Sequence, residues 1–399
     1  MSKQSNAATA SITFYAAIIL LGLNLRPIMA AIGPLLETMQ DRIGLSDVQG
    51  GLLTTIPVFA MGSVALMGGL IQARVGVRRA VLLACAFIAI GSGLRLPWHS
   101  PAGLLVSAAM GGIGIAAIQA LMPTFIKQHP SGDPGRGMAL FTTGIMGGAA
   151  VASAAVVPIA HFVGWPVSLS IWAILAVIAG AVWTSATATR SVDPGGRAYS
   201  LPWRSRRAWF LMLFFGIGTA AYTLVLAWLP PFFVQHGWSA SSSGYLLGGL
   251  TVCQVVSGLT LSSVITRFPD RRGLLFVILA LTCVGLLMLI SAPDVLAAPA
   301  IVTIGVAIGS LFPLSLIVSL DHLDEASAAG SLMGFVQGGG YIVASVMPLV
   351  AGVIRYSFSS LDAAWLVMLA ALVIQLGMVP ILRPGDRLEP NDWRLKADK

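Results

Sequence analysis

"ARVGVRRAVLL", residues 73–83, and "TRFPDRRGLLF", residues 266–276, are one basic loop written twice. At an offset of 193, Arg74, Arg78 and Arg79 fall on Arg267, Arg271 and Arg272. The same shift carries Gly44 onto Gly237, Ser46 onto Ser239, Gly51 onto Gly244 and Leu53 onto Leu246. Further along the offset becomes 190, where Pro123 meets Pro313, Gly144 meets Gly334, Gly148 meets Gly338 and Pro158 meets Pro348. Glycine matches alone are weak in a chain with 44 glycines, but an arginine triplet at a common offset is not. Self-similarity of this length marks a duplicated structural unit.

What flanks the loops is apolar. Of 399 residues 57% are apolar and 10% charged, against about 25% charged in soluble domains. A bilayer core about 30 Å thick needs roughly 20 apolar residues per helix. With that ruler the chain divides into twelve spans, near 12–36, 48–71, 80–97, 102–126, 138–161, 165–186, 209–234, 242–265, 273–291, 298–320, 329–353 and 362–382. The expected fold is an all-α membrane protein of twelve transmembrane helices in two pseudo-symmetric six-helix bundles. Residues 1–186 form the first bundle, 187–207 a cytosolic linker, and 208–399 the second bundle with a cytosolic tail.

Net charge is +8, yet nucleic acid is excluded as a partner because the basic residues are scattered through short loops. Cys85, Cys253 and Cys283 lie in apolar runs without CxxC spacing and read as core residues. No nucleophile–base set or metal-ligand cluster appears among the few histidines and cysteines, so neither an enzyme, a metal site nor a cofactor is expected. Thirteen loop arginines and lysines and six in the tails fall on one side, against Arg42, Arg355 and Arg95 on the other. Cytosolic loops are the Lys/Arg-rich ones, so both termini are expected in the cytosol of a bacterial-type inner membrane. Asp321–Glu325 is an acidic exception on the basic side.

Parallel six-helix repeats are the layout of the major facilitator superfamily, whose substrate site lies between the halves near the bilayer midplane. The loop after the second span resembles that superfamily's G-x-x-x-D-R-x-G-R-R signature through Gly69, Arg74, Gly76, Arg78 and Arg79. It departs at Ala73, where the signature has an acid. The superfamily's antiporter motif needs a Gly-Pro pair that "GIMGGAAVASAAVVP", 144–158, lacks. The GxxxG pairs Gly144/Gly148 and Gly334/Gly338 let helices approach closely; packing is the first reading and a hinge the second.

The first span carries Arg26 at its middle, between Asn24 and Pro27. Glu37, near the outer headgroups, lies eleven residues on, which puts Arg26 roughly 16 Å deeper at 1.5 Å rise per residue. A midplane arginine costs about 2.5–3.5 kcal/mol on insertion scales and normally faces a cavity. On a helix it shares a face with Gly22, Ala30 and Gly33, and Pro27 leaves the Leu23 carbonyl unpaired so that the helix can bend. None of the 15 carboxylates falls mid-span. Arg26 therefore either bonds backbone carbonyls or awaits an anion from outside, and its planar fork suits a carboxylate-like or linear anion. Arg95, towards the outer side, either snorkels to the headgroups or draws anions inward. Gln119, Pro123 and Lys127 form one stripe down the fourth span. With Tyr222, Trp228, Gln254, Gln337 and Tyr341 they are either pocket lining or interhelical and interfacial contacts, and Lys127 reads as interfacial.

"LGLNLRPIMAAIGPLL", "GLRLPW", "IQALMPTFIK", "YTLVLAWLPPFF" and "FVQGGGYIVASVMP" together resemble the cyanate transporter branch of the superfamily, which also includes exporters of 2-nitroimidazole. The likeness runs over essentially all twelve spans. It implies a monomeric secondary-active or facilitative transporter working by alternating access, with substrate contacts at Arg26, Asn24, Arg95, Gln119, Tyr222, Trp228 and Gln337. Gating falls to Arg74, Arg78, Arg79, Lys127, Arg267, Arg271 and Arg272. Cyanate is the leading cargo and a small nitro-heterocycle the alternative.

Overall fold

In a bilayer every backbone polar group must be satisfied within the segment that crosses, so long apolar runs become helices. The computed structural model describes residues 2–128, 134–187, 200–323, 326–383, 385–386 and 388. Linker arginines Arg190 and Arg197, tail residues Arg387, Arg394, Lys396 and Lys399, and Glu325 lie outside them. Among the described residues there is no strand. Twelve spans are apolar and long enough to cross: Ile12–Ile43 (span 1), Asp47–Met67 (2), Val77–Leu94 (3), Pro101–Lys127 (4), Gly135–Val163 (5), Trp165–Ala186 (6), Arg206–Gln235 (7), Ala240–Arg267 (8), Arg272–Ser291 (9), Pro293–Leu320 (10), Ala328–Phe358 (11) and Asp362–Ile381 (12). Twelve spans among the described residues bring the chain back to the face where span 1 begins, called here the terminal face. Most bounds fall within a few residues of the sequence reading, but spans 1 and 11 run further at the opposite face.

The duplication is legible in the backbone. Gly44 and Gly237 both take positive φ, 67° and 84°, the left-handed region that a Cβ disfavours. Two residues on, Ser46 accepts from the Gln49 amide and Ser239 from the Ser242 amide, each capping the next helix start. Span 2 packs on span 11 and span 5 on span 8, joining the halves along two seams. Backbones touch there: a Cβ on Gly51 would stand 2.5 Å from the Pro348 carbonyl, and one on Gly244 2.5 Å from that of Ser153. Gly144 and Gly148 instead pack inside the first half, against span 1, so the first GxxxG is a packing seat. Leu83, Ile90, Ile174, Val177, Phe276, Leu287 and Ile374 stand exposed on the outer rim, where lipid tails are the solvent.

Candidate functional site

Span 1 is broken rather than bent. Its first helix ends at Leu23 and a single helical turn resumes at Pro27–Ala30, followed by a 3-10 turn, Gly33–Leu35, and a helix over Leu36–Ile43. Through the break Asn24 and Leu25 donate to Leu21 and Gly22, three residues back. Pro27 has no N–H to offer the Leu23 carbonyl. The missing bond opens the chain where Arg26 sits.

Arg26 is 4% exposed, and no carboxylate pairs with it among the described residues. Its Nη1 points at the Met61 sulfur, 3.8 Å away, its guanidinium lies 5.4 Å from the centre of the Tyr222 ring, and Nε has no partner. Both amide atoms of Asn24 and the Tyr222 hydroxyl are buried and unpartnered as well. Buried polar atoms are nearly always bonded, so the orphans at Asn24, Arg26 and Tyr222 make the break a candidate site for a group that supplies partners.

Beside them is a narrow cavity of about 20 Å³ lined by Met61, Ala65, Ala116, Gln119, Ala120, Gln337 and Tyr341, little more than one water needs. Gln119 Nε2 donates to the Tyr341 hydroxyl at 2.7 Å across the two halves, leaving Oε1 unpartnered. Met61 touches both this cavity and Arg26, so Arg26, Asn24, Tyr222, Gln119, Gln337 and Tyr341 form one region.

The remaining sequence candidates lie elsewhere. Trp228 is fully buried six residues beyond Tyr222 on span 7, about 9 Å further along the axis. Its indole N–H donates to the Pro348 carbonyl at 2.9 Å, and Arg355 lies 5.7 Å from its ring, so it does not line the cavity. Arg95 neither snorkels nor lines a route: it is 0% exposed and donates to Ser107 Oγ and the Ile28 carbonyl. Gln254 packs towards span 10, where a Cβ on Gly309 would strike its backbone. Lys127, Arg74, Arg78, Arg79 and Arg267 are exposed, without an ion pair among the described residues. In the second half Arg271 pairs with Asp321 at 3.3 Å and Arg272 with Asp270 at 2.7 Å. The first pair accounts for the acidic exception on the basic side.

Sequence reasoning missed a cluster at the face opposite the termini. Arg355 Nη2 donates to Glu37 and Nε lies 3.4 Å from Asp47, which also accepts from Gln40 at 2.7 Å. Arg355 belongs to the second half and both carboxylates to the first, so the cluster clasps the halves together. Below it Gly33 packs on span 7, where its Cβ would meet the Ala227 carbonyl at 3.2 Å. Spans 4 and 10, the repeat-related pair, share no extended contact among the described residues. The signal available in the sequence was Arg355 itself, a base on the side that is otherwise nearly free of them.

A family model described as Major Facilitator Superfamily matches residues 12–348. The chain is 35% identical over 376 residues to the cyanate transport protein CynX of Escherichia coli (strain K12), covering 92% of this chain and 97% of that one. It is 30% identical over 361 residues to the 2-nitroimidazole transporter of the same organism, covering 86% and 88%. Among solved structures the D-xylose-proton symporter superposes with a TM-score of 0.74 at 14% identity, covering 96% of this chain and 99% of that one.

Proposed function

The chain belongs to the major facilitator superfamily, and we propose that it carries a small anion, with cyanate the leading candidate, across the bacterial inner membrane by alternating access. One observation carries the reading: Arg26 is buried in the break of span 1 with an unpartnered Nε and, among the described residues, no carboxylate beside it. A guanidinium left without an anionic partner in a low-dielectric site gains most from an anion that arrives by itself. Asn24 and Tyr222 would supply further hydrogen bonds, and Gln119 and Gln337 the wall. The relative at 35% identity, whose name is that of a cyanate transporter, supports the cargo.

Positive loops orient the protein with the terminal face in the cytosol. On that placement the Arg355–Glu37–Asp47 clasp and the contact of spans 1 and 7 close the periplasmic side. Alternating access then requires the clasp to open once per cycle.

The test is uptake of labelled cyanate into liposomes carrying the purified protein. Arg26→Ala should abolish saturable uptake and leave folding and insertion unchanged; near-normal uptake by that variant would overturn the assignment. Efflux of a nitro-heterocycle is the second reading, favoured by the Tyr222 ring beside Arg26 and by the relative at 30% identity. Under it, cells expressing the protein resist 2-nitroimidazole instead of becoming sensitive to cyanate.

A further inference from the structure

Arg95 caps the end of span 3 and is among the largest fully buried side chains in the protein. No carboxylate faces it: Nε donates to Ser107 Oγ at 2.7 Å on span 4, Nη2 to the Ile28 carbonyl at 2.9 Å, and Nη1 is unpartnered. Burying a guanidinium with only neutral partners is costly, and its two separate nitrogens reach span 4 and the Ile28 carbonyl at once, a span that the shorter glutamine amide does not bridge. The Ile28 carbonyl is significant in itself. In a continuous helix it would accept from the Ile32 amide, but that amide bonds to Met29 instead. Arg95 takes the carbonyl left free where the Pro27–Ala30 turn ends. The turn is also seated from its side-chain face, because Ile28 Cδ1 occupies the space over Gly111, 2.1 Å from where a Cβ would stand.

The turn so held is Pro27–Ala30, and Arg26 is the residue that precedes it. We propose that Arg95 is a positioning residue for the substrate site: by fixing the Ile28 carbonyl it anchors the Pro27–Ala30 turn, and with it the Arg26 guanidinium that the turn begins from. This rests on the anion-carrier reading for its consequence in transport, though not for its geometry. A misplacement of about 1 Å at a reacting or binding group costs up to a hundredfold, so a side chain remote from the cavity can set affinity.

Two readouts separate the proposal from a merely structural role. In hydrogen exchange of the purified protein, Arg95→Gln and the milder Ser107→Ala should raise exchange across residues 25–32 and leave spans 3 and 4 protected. In liposomes the same variants should raise the half-saturating cyanate concentration by about tenfold or more with the maximal rate less affected, and Arg95→Lys should recover part of the loss. Unchanged exchange at 25–32, or wild-type half-saturation in Arg95→Gln, overturns the proposal. If the unaltered protein shows no saturable cyanate uptake, the carrier reading fails by itself. If Arg26→Ala keeps uptake, only the Arg26 assignment fails. The exchange measurement decides the Arg95 contact independently of both.

Discussion

Arg355 Nε stands 3.4 Å from Asp47 Oδ1 while its Nη2 bonds to Glu37, so one side chain of span 11 holds two carboxylates of the other half. Removing a partner from a buried pair costs up to about 3–5 kcal/mol, but the Glu37 side chain is 35% exposed and Asp47 20%. Water screens such pairs, and about 1–2 kcal/mol is the fitting scale. Each 1.4 kcal/mol moves a two-state population tenfold. Glu37→Gln should therefore shift the protein about tenfold towards the state open opposite the termini. The measure is alkylation of an Ala227→Cys probe at the span 1–7 contact, in a chain whose native cysteines are replaced. Equal labelling with and without Glu37 would remove the clasp from the cycle.

Gln119 and Tyr341 make the corresponding contact inside the cavity. A neutral hydrogen bond contributes about 0.5–1.5 kcal/mol net. Gln119→Ala and Tyr341→Phe are each expected to weaken apparent cyanate affinity about three- to tenfold. Because they remove the same bond, the double variant should be no worse than the poorer single one. Full additivity would mean that the two side chains act apart.

Close packing at the break predicts a sharp contrast between neighbouring glycines. A Cβ on Gly148 would stand 2.1 Å from the Leu23 carbonyl oxygen and 2.9 Å from its carbon, whereas Gly147 has only a Leu23 methyl at 3.5 Å. Gly148→Ala should cost about 1–3 kcal/mol of stability, the range for overpacking, and Gly147→Ala almost none. Thermal unfolding in detergent compares them. Equal midpoints would show that span 1 yields at Leu23 without strain.

These contacts also show what a sequence of this kind discloses. Span lengths were legible because bilayer thickness acts locally on each apolar run. The duplication was legible because Gly44/Gly237 and Ser46/Ser239 do the same backbone work in both halves. That Arg26 is buried without a carboxylate among the described residues was legible from an arginine in an apolar run with no acid near it. Helices that are apolar all round carry no amphipathic stripe to say which face looks inward, which is why the partners of Trp228 and Arg95, the Pro348 and Ile28 carbonyls, had no signal in the sequence. The Arg355–Glu37 bond joins residues 318 positions apart, a separation across which no local pattern reaches. Pro27 announced a bend; the Arg95 contact to the Ile28 carbonyl, which comes from another helix, left no local signal.

A last prediction concerns pH at the terminal face. His322, just past span 10, is buried; its Nδ1 faces the Val318 carbonyl at 2.7 Å, and Nε2 accepts from Arg207 Nε and Nη2 at 3.1 and 3.0 Å. Arg207 also bonds the Ile381 carbonyl and Asp386, and the Leu388 amide bonds the His322 carbonyl, so this imidazole ties spans 7, 10 and 12 together. The charged groups around it are Arg207, Asp386 and Asp321, the last paired with Arg271. Burial first, then the Arg207 charge, holds its pKa below the ordinary 6.5, against the opposing pull of the Val318 carbonyl and the two aspartates. The folded protein thus prefers the neutral ring. The unfolded chain takes up the proton first as pH falls, so this contribution is whole above the ordinary value and is lost through the window below it. The unfolding midpoint should be flat from about pH 8 to 7 and fall towards about pH 5. His322→Gln, which offers Arg207 a carbonyl oxygen but cannot titrate, should flatten the acid-side fall. If the variant declines as steeply as the parent, another group governs the acid limb.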